Sequence, residues 1–130
     1  MRRTKFTILA VLAMVIAIVL YSIFTYPRIA LEFPLKISGA TRTEMEFSIP
    51  SGHKYLQVEI VIREGRTLWS AKIIFGNETV WDGSGAALQT GQTTYTSSWV
   101  TAASGHYKFT IGTLGSFDGE VKITTKGGFW

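Results

Sequence analysis

Residues 6–24 read FTILAVLAMVIAIVLYSIF, nineteen consecutive positions without a charge, in which only Thr7 and Ser22 are polar. As an α-helix rising about 1.5 Å per residue, this run is roughly 28 Å long, close to the hydrocarbon thickness of a bilayer. Phe6, Leu12, Ile16, Leu20 and Phe24 are spread along it as lipid-facing anchor residues. Arg2, Arg3 and Lys5 crowd its N-terminal side, Tyr21 and Tyr26 fall where the second headgroup layer would lie, and Pro27 ends the helix. An excess of basic residues marks the cytoplasmic flank, so these three are an orientation signal that leaves the N-terminus inside and the rest of the chain outside.

A cleavable signal peptide also begins with a basic patch, but its apolar region spans 7–15 residues and ends in a small-residue site. Here the exit is Tyr-Ser-Ile-Phe-Thr-Tyr-Pro, bulky throughout. An uncleaved signal anchor in the cell membrane is the expectation. No polar stripe interrupts the run, which separates it from the buried helix of a soluble core.

Composition reads differently once this segment is set aside. The whole chain carries 13 Lys+Arg and 9 Asp+Glu, and three of the basic residues lie in the first five positions. The remainder of the chain holds ten basic and nine acidic residues, interspersed, which removes the basic face that a nucleic-acid partner requires. Cys is absent. Disulfide scaffolds, Cys-ligated zinc and thiol catalysis are therefore excluded.

From Ile29 onward the apolar period changes to two, the mark of half-buried strands. Ile29, Leu31, Phe33, Leu35 and Ile37 form one apolar face, followed by Met45, Phe47 and Ile49, then by Leu56, Val58, Ile60 and Ile62. A turn is expected at Glu64-Gly65. Trp69, Ala71, Ile73 and Phe75 continue the series to a Gly76-Asn77 turn and a short strand, Thr79-Val80-Trp81. Asp82-Gly83-Ser84-Gly85-Ala86-Ala87 has the composition of a loop. Residues 93–100 are β-prone, Tyr107, Phe109 and Ile111 form another face, residues 112–119 read as a loop, and Val121 and Ile123 close the series. Seven or eight short strands with turn signals between them predict an all-β antiparallel sandwich behind the N-terminal transmembrane helix. The expected organisation is a cytoplasmic stub (1–5), a transmembrane helix (6–26), a juxtamembrane linker and first strand (27–43), an extracytoplasmic sandwich (44–126) and an aromatic tail (127–130).

The segment Gly105-His106-Tyr107-Lys108-Phe109-Thr110-Ile111, followed by Gly119-Glu120-Val121-Lys122-Ile123, ends the domain in a G-x-Y-x-F-x-I, loop, G-x-V-x-I pattern. With Phe47-Ser48-Ile49-Pro50-Ser51-Gly52 and the mid-domain GNETVWDG, it resembles the GOLD-type and pre-peptidase C-terminal-type sandwiches. The resemblance implies a non-catalytic extracytoplasmic interaction module and assigns no functional residue. Separately, Thr4-Lys5-Phe6-Thr7-Ile8-Leu9 resembles the start of type IV pilins, although the glycine before the Phe is missing and Ala10 stands where a pilin places its glutamate. That resemblance implies a filament subunit, pilin-like or archaellum-accessory, with the apolar helix as assembly element.

No catalytic residue, metal ligand or cofactor is expected. His53 and His106 are far apart in sequence and read as exposed turn histidines, one or two ligands short of a usual metal site. Ser51, Ser84 and Ser104 adjoin glycines without forming a nucleophile elbow. Glu44 and Glu46 share a strand face, and Asp82 and Asp118 sit singly in Gly-rich stretches, too sparse for a calcium loop. Trp69, Trp99 and Tyr107 read as core residues. Trp81, beside Asp82-Gly83, and the terminal Phe129 and Trp130 are the candidate contacts for a ligand or partner. Asn77 opens an Asn-Glu-Thr sequon, an acceptor for N-glycosylation in an exported domain. The expected partners are the lipid bilayer, a protein or further copies of the chain, and a glycan.

Overall fold

The computed structural model describes residues 2–87 and 90–128. One helix, α1 (Arg2–Thr25), precedes eight strands: β1 (Arg28–Ile37), β2 (Thr41–Ile49), β3 (Tyr55–Phe75), β4 (Glu78–Ala87), β5 (Thr90–Thr96), β6 (Val100–Thr101), β7 (Gly105–Thr113) and β8 (Ser116–Lys126).

The organising element is β3, a 21-residue strand that belongs to two sheets. Its first part pairs with β8 from Tyr55 to Arg66, with β5 and with β6. Its second part pairs with β7 and β4 from Thr67 to Phe75. β1 joins the first sheet beside β8, and β2 joins the second beside β7. All pairings are antiparallel. One sheet therefore has the order β1, β8, β3, β5, and the other β2, β7, β3, β4, the two-sheet arrangement of a jelly roll.

The turn expected at Glu64-Gly65 is instead the corner where β3 passes from one sheet to the other. The ladders with β8 and β5 both shift between Ile62 and Glu64. An extra residue on one strand bends it and increases its twist, so the strand changes sheet without leaving the β conformation. β1 to β2 and β7 to β8 cross at the same end. The loop expected over residues 112–119 is accordingly reduced to Leu114 and Gly115.

The alternating apolar faces meet between the sheets. Leu56, Val58, Ile60, Phe109, Ile111, Val121 and Ile123 are fully buried. Phe33 of the first sheet meets Phe109 of the second edge-on, with ring centroids 6.1 Å apart. Tyr107 stacks on Phe47 at 5.6 Å and on Phe75 at 4.8 Å, while its hydroxyl donates to the Ala103 carbonyl at 2.6 Å. Ile29 departs from the expected face and is exposed, because the β1 register shifts between Ile29 and Leu31.

β4 also departs from expectation. The stretch 82–87, expected to be a loop, continues the strand. Its glycines serve packing: a Cβ on Gly83 would lie 2.7 Å from the Trp81 ring, and one on Gly85 2.8 Å from the Trp69 ring. Each indole lies over a glycine, and Tyr95 of the opposite sheet packs against both, at 5.2 Å from Trp69 and 6.4 Å from Trp81. Glycine in a strand interior often marks such a close approach.

Helix α1 contributes nothing to this core. Phe6, Leu12, Ile16, Leu20 and Phe24 are all exposed, and the helix is long and apolar enough to cross a membrane from Arg3 to Thr25. Arg3 and Lys5 are exposed on its first turns, and Arg2 is its first residue.

Candidate functional site

In the sheet of β2, β7, β3 and β4, strand alternation sends every second side chain away from the core, and the register arranges these into rows. The first row is Arg42, Gly112, Ser70 and Ser84; the second is Glu44, Thr110, Lys72 and Asp82; the third begins with Glu46, Lys108 and Ile74. Ser48 and His106 end the face. Gly112 lacks a side chain in the first row, and a Cβ placed there would find only the Ser70 hydroxyl, 3.9 Å away. This gap opens a groove of about 590 Å³ lined by Arg42, Ser70, Lys72, Asp82, Ser84 and Thr110.

The groove is polar and balanced in charge. Arg42 pairs with Glu44 at 3.1 Å, and Lys108 approaches the other oxygen of the same carboxylate at 3.8 Å. Among the described residues, Lys72 and Asp82 enter no ion pair. Thr110 is the unusual member: only 5% of its surface is exposed, and its Oγ1 is buried without a hydrogen-bond partner among the described residues. A buried hydroxyl left unpaired is costly, so such a group in the floor of a groove calls for an explanation. Donors and acceptors fixed on a rigid sheet can hydrogen-bond the hydroxyls of a neutral polar ligand, whereas a polyanion would need an excess of basic groups.

Ser48 and His106 lie opposite one another, with Oγ and Nδ1 2.8 Å apart. A serine beside a histidine is the first part of a nucleophile and base. Both residues here stand in register on flat, exposed neighbouring strands, and the contact is a cross-strand hydrogen bond. Ser48 carries no local signal in the sequence, since its partner lies 58 residues away.

The other residues singled out in the sequence are dispersed. His106 is exposed, as expected, but His53 is buried to 2% exposure and not an exposed turn residue. It lies beneath the end of α1, its Nδ1 2.8 Å from the Thr125 hydroxyl. Burial pushes its pKa below the ordinary 6.5; hydrogen bonding of the ring to the Phe24 backbone opposes this, the Arg28 charge adds to it, and hydrogen bonding to the Thr125 backbone opposes it. Trp81, a candidate contact, lies in the core at 9% exposure. Trp69 and Tyr107 are buried as expected. Trp99 is not: it is 37% exposed, with the Lys126 ammonium 4.1 Å from the ring centroid. It stands outside the strands, in the segment 97–99 between β5 and the two-residue β6, and not on an inward strand face. Asn77 is exposed in the β3–β4 hairpin, where Gly76 takes φ +62° as the first turn residue requires. Asp118 faces Arg63 at 3.4 Å. No group of three or more His, Asp or Glu side chains among the described residues could hold a metal ion. Phe129 and Trp130 lie outside the described residues.

No protein-family model matches the sequence, and no curated protein matches it either. Solved structures do resemble the fold. The insecticidal δ-endotoxin Cry8Ea1 of Bacillus thuringiensis aligns over 71% of this chain at 12% identity and a TM-score of 0.49, with the chain spanning 19% of the toxin. The carbohydrate-binding module CBM6cm-2 of Cellvibrio mixtus lichenase 5A, in complex with cellotriose, aligns over 78% of this chain and 92% of the module at 13% identity and a TM-score of 0.45. A CBM36 module in complex with calcium and xylotriose aligns over 75% of this chain and 93% of the module at 13% identity and a TM-score of 0.42. None of the three is a GOLD-type or pre-peptidase C-terminal-type domain.

Proposed function

We propose that this protein is a membrane-anchored, non-catalytic binding module, held outside the membrane by α1 and presenting the groove of the β2–β7–β3–β4 sheet to a glycan. The observation that carries the reading is a contrast within one chain. The sandwich buries its own apolar faces, while α1 leaves its apolar side chains uncovered. Exposed apolar surface on that scale needs a nonaqueous partner. The basic residues Arg2, Arg3 and Lys5 set the N-terminus on the cytoplasmic side. The choice of a glycan rests on the balanced charge of the groove and on its fixed array of hydroxyl, guanidinium, ammonium and carboxylate groups.

The test uses the full chain with a C-terminal epitope. Retention in membranes after alkaline carbonate extraction and cleavage of the epitope by protease added outside intact cells support anchoring and orientation. Release into the soluble fraction, or a protected epitope, overturns them. The detergent-solubilised full chain on an array of neutral and charged oligosaccharides tests the ligand class, with Lys72→Ala and Asp82→Ala as variants that should lose the signal.

A second reading, a pilin-like filament subunit, is favoured by the same uncovered helix passing into a β head with only two residues between α1 and β1. The mature N-terminus separates the two readings. Cleavage between Lys5 and Phe6 belongs to a filament subunit, and an intact N-terminus to the anchored module.

A further inference from the structure

The chain has no spacer between helix and sandwich: α1 ends at Thr25 and β1 begins at Arg28. The junction is packed. Thr25 is buried, the Gly127 amide donates to its carbonyl at 2.9 Å, and Gly52 lies against Phe24, whose carbonyl would stand 3.7 Å from an added Cβ. If α1 crosses the membrane, the end of the sandwich from which it emerges must stand at headgroup depth, because the interfacial layer adds only about 5–8 Å beyond the hydrocarbon on each side.

The residues at that end suit such a place. Arg28 opens β1, Lys126 closes β8 beside it, and Lys54 stands on the other side of β8, just before β3, its amide donating to the Lys126 carbonyl at 2.9 Å. No ion pair among the described residues engages any of the three. The nearest acids along these strands, Glu32 and Glu59, are both in register with Lys122 further from the helix, and Glu78 opens β4 in the opposite sheet. Around the three cations, Tyr26, Ile29 and Trp99 are exposed apolar or amphipathic side chains. Trp and Tyr concentrate at membrane interfaces, where an apolar ring and a polar edge are both accommodated. The cation of Lys126 over the Trp99 ring joins the two groups into one patch.

We infer that this end of the sandwich, with Arg28, Lys54 and Lys126 as its charged part and Tyr26, Ile29 and Trp99 as its apolar part, docks on the phosphate-bearing headgroups of an anionic bilayer. The inference rests on the membrane-anchored reading above and adds to it a fixed posture: the sandwich sits down on the lipid surface and does not swing on a tether. The outward groove is then held at a constant attitude to the membrane.

The test is hydrogen exchange on the full chain in nanodiscs of phosphatidylcholine alone or with one third phosphatidylglycerol. Amides of residues 51–55 and 97–102 should exchange more slowly in the anionic bilayer, by about fivefold for each cation engaged. The protection should vanish at high salt and in the triple variant Arg28→Gln, Lys54→Gln, Lys126→Gln. Should the triple variant misfold, the salt titration of the unaltered chain makes the same comparison without substitution. Equal exchange in neutral and anionic nanodiscs, with the chain inserted, overturns the headgroup surface and leaves the anchor standing. Failure to insert into either bilayer overturns the anchor itself.

Discussion

The Gly127 amide hydrogen-bonds the Thr25 carbonyl at 2.9 Å, tying the last turn of α1 to the end of β8. The last carbonyls of a helix lack intrahelical partners, and here the sandwich supplies one. The Thr25 hydroxyl turns back to the Tyr21 carbonyl at 2.8 Å, which closes the turn from within. A Cβ on Gly127 would overlap the Thr25 side chain. Gly127→Ala is therefore expected to force helix and sandwich apart, at a cost of about 1–3 kcal/mol typical of overpacking. Limited proteolysis should show faster cleavage around residues 25–28 in the variant, and an unchanged digestion rate would refute this account of the junction.

His53 makes the same junction sensitive to acid. Its folded-state pKa lies below the ordinary 6.5, chiefly because the imidazole is buried. Below pH 6.5 the unfolded chain takes up a proton that the folded chain refuses, so stability falls as the pH drops through this range. The loss stops growing once the folded imidazole is itself protonated; above about pH 6.5 the contribution is fully present. Denaturant unfolding of the full chain in detergent at pH 7.5 and 5.0 should reveal the difference, and His53→Gln should flatten it. An equal slope in the variant would assign the pH dependence to other groups.

Gly85 tests the fit of the tryptophans to β4. A Cβ there would lie 2.8–2.9 Å from three atoms of the Trp69 indole, and neither backbone nor core ring can withdraw easily. Gly85→Ala should destabilise the domain by about 1–3 kcal/mol and alter the near-ultraviolet circular dichroism of Trp69. An unperturbed spectrum with unchanged stability would mean that the ring has room to move.

This glycine also shows where sequence reading stops. Alternation locates the strands correctly wherever the core is built from Leu, Val, Ile and Phe, as in Leu56 to Ile62, because one buried face imposes a period of two. It fails in Asp82-Gly83-Ser84-Gly85, where glycine is the inward residue and the core volume is supplied by rings from Trp81 and Trp69. Composition cannot distinguish a glycine that turns the chain from one that makes room for an indole. Glu64-Gly65 misleads for a related reason, since a strand corner and a hairpin use the same residues and differ only in what lies beyond. Helix α1 is legible because its signal is local and continuous. The groove is legible only as alternating polar positions. Its rows depend on pairing Arg42 with Gly112 and Lys72 with Thr110, partners separated by tens of residues. His53 likewise gives no sign of burial, because the elements that cover it, the end of α1 and Thr125, come from opposite ends of the chain.

Thr110 separates a binding groove from a merely polar sheet face. Its Oγ1 is buried and unpartnered among the described residues, as is that of Thr113 three residues on along β7. Replacing either hydroxyl by a methyl group of the same shape removes an unpaired polar atom, so Thr110→Val and Thr113→Val should each leave unfolding stability unchanged or raise it. The two variants should differ in binding. Thr110 lines the groove, and a turn about its Cα–Cβ bond would present the hydroxyl, enclosed as the side chain stands, to an occupant; Thr113 does not line it. Loss of one hydrogen bond, about 0.5–1.5 kcal/mol, corresponds to roughly a two- to tenfold weaker affinity for any oligosaccharide identified on the array. Titration calorimetry of both variants with that oligosaccharide checks this. Weakened binding confined to Thr110→Val supports the groove, whereas equal affinities for the two variants and the unaltered chain would place the ligand elsewhere on the sandwich.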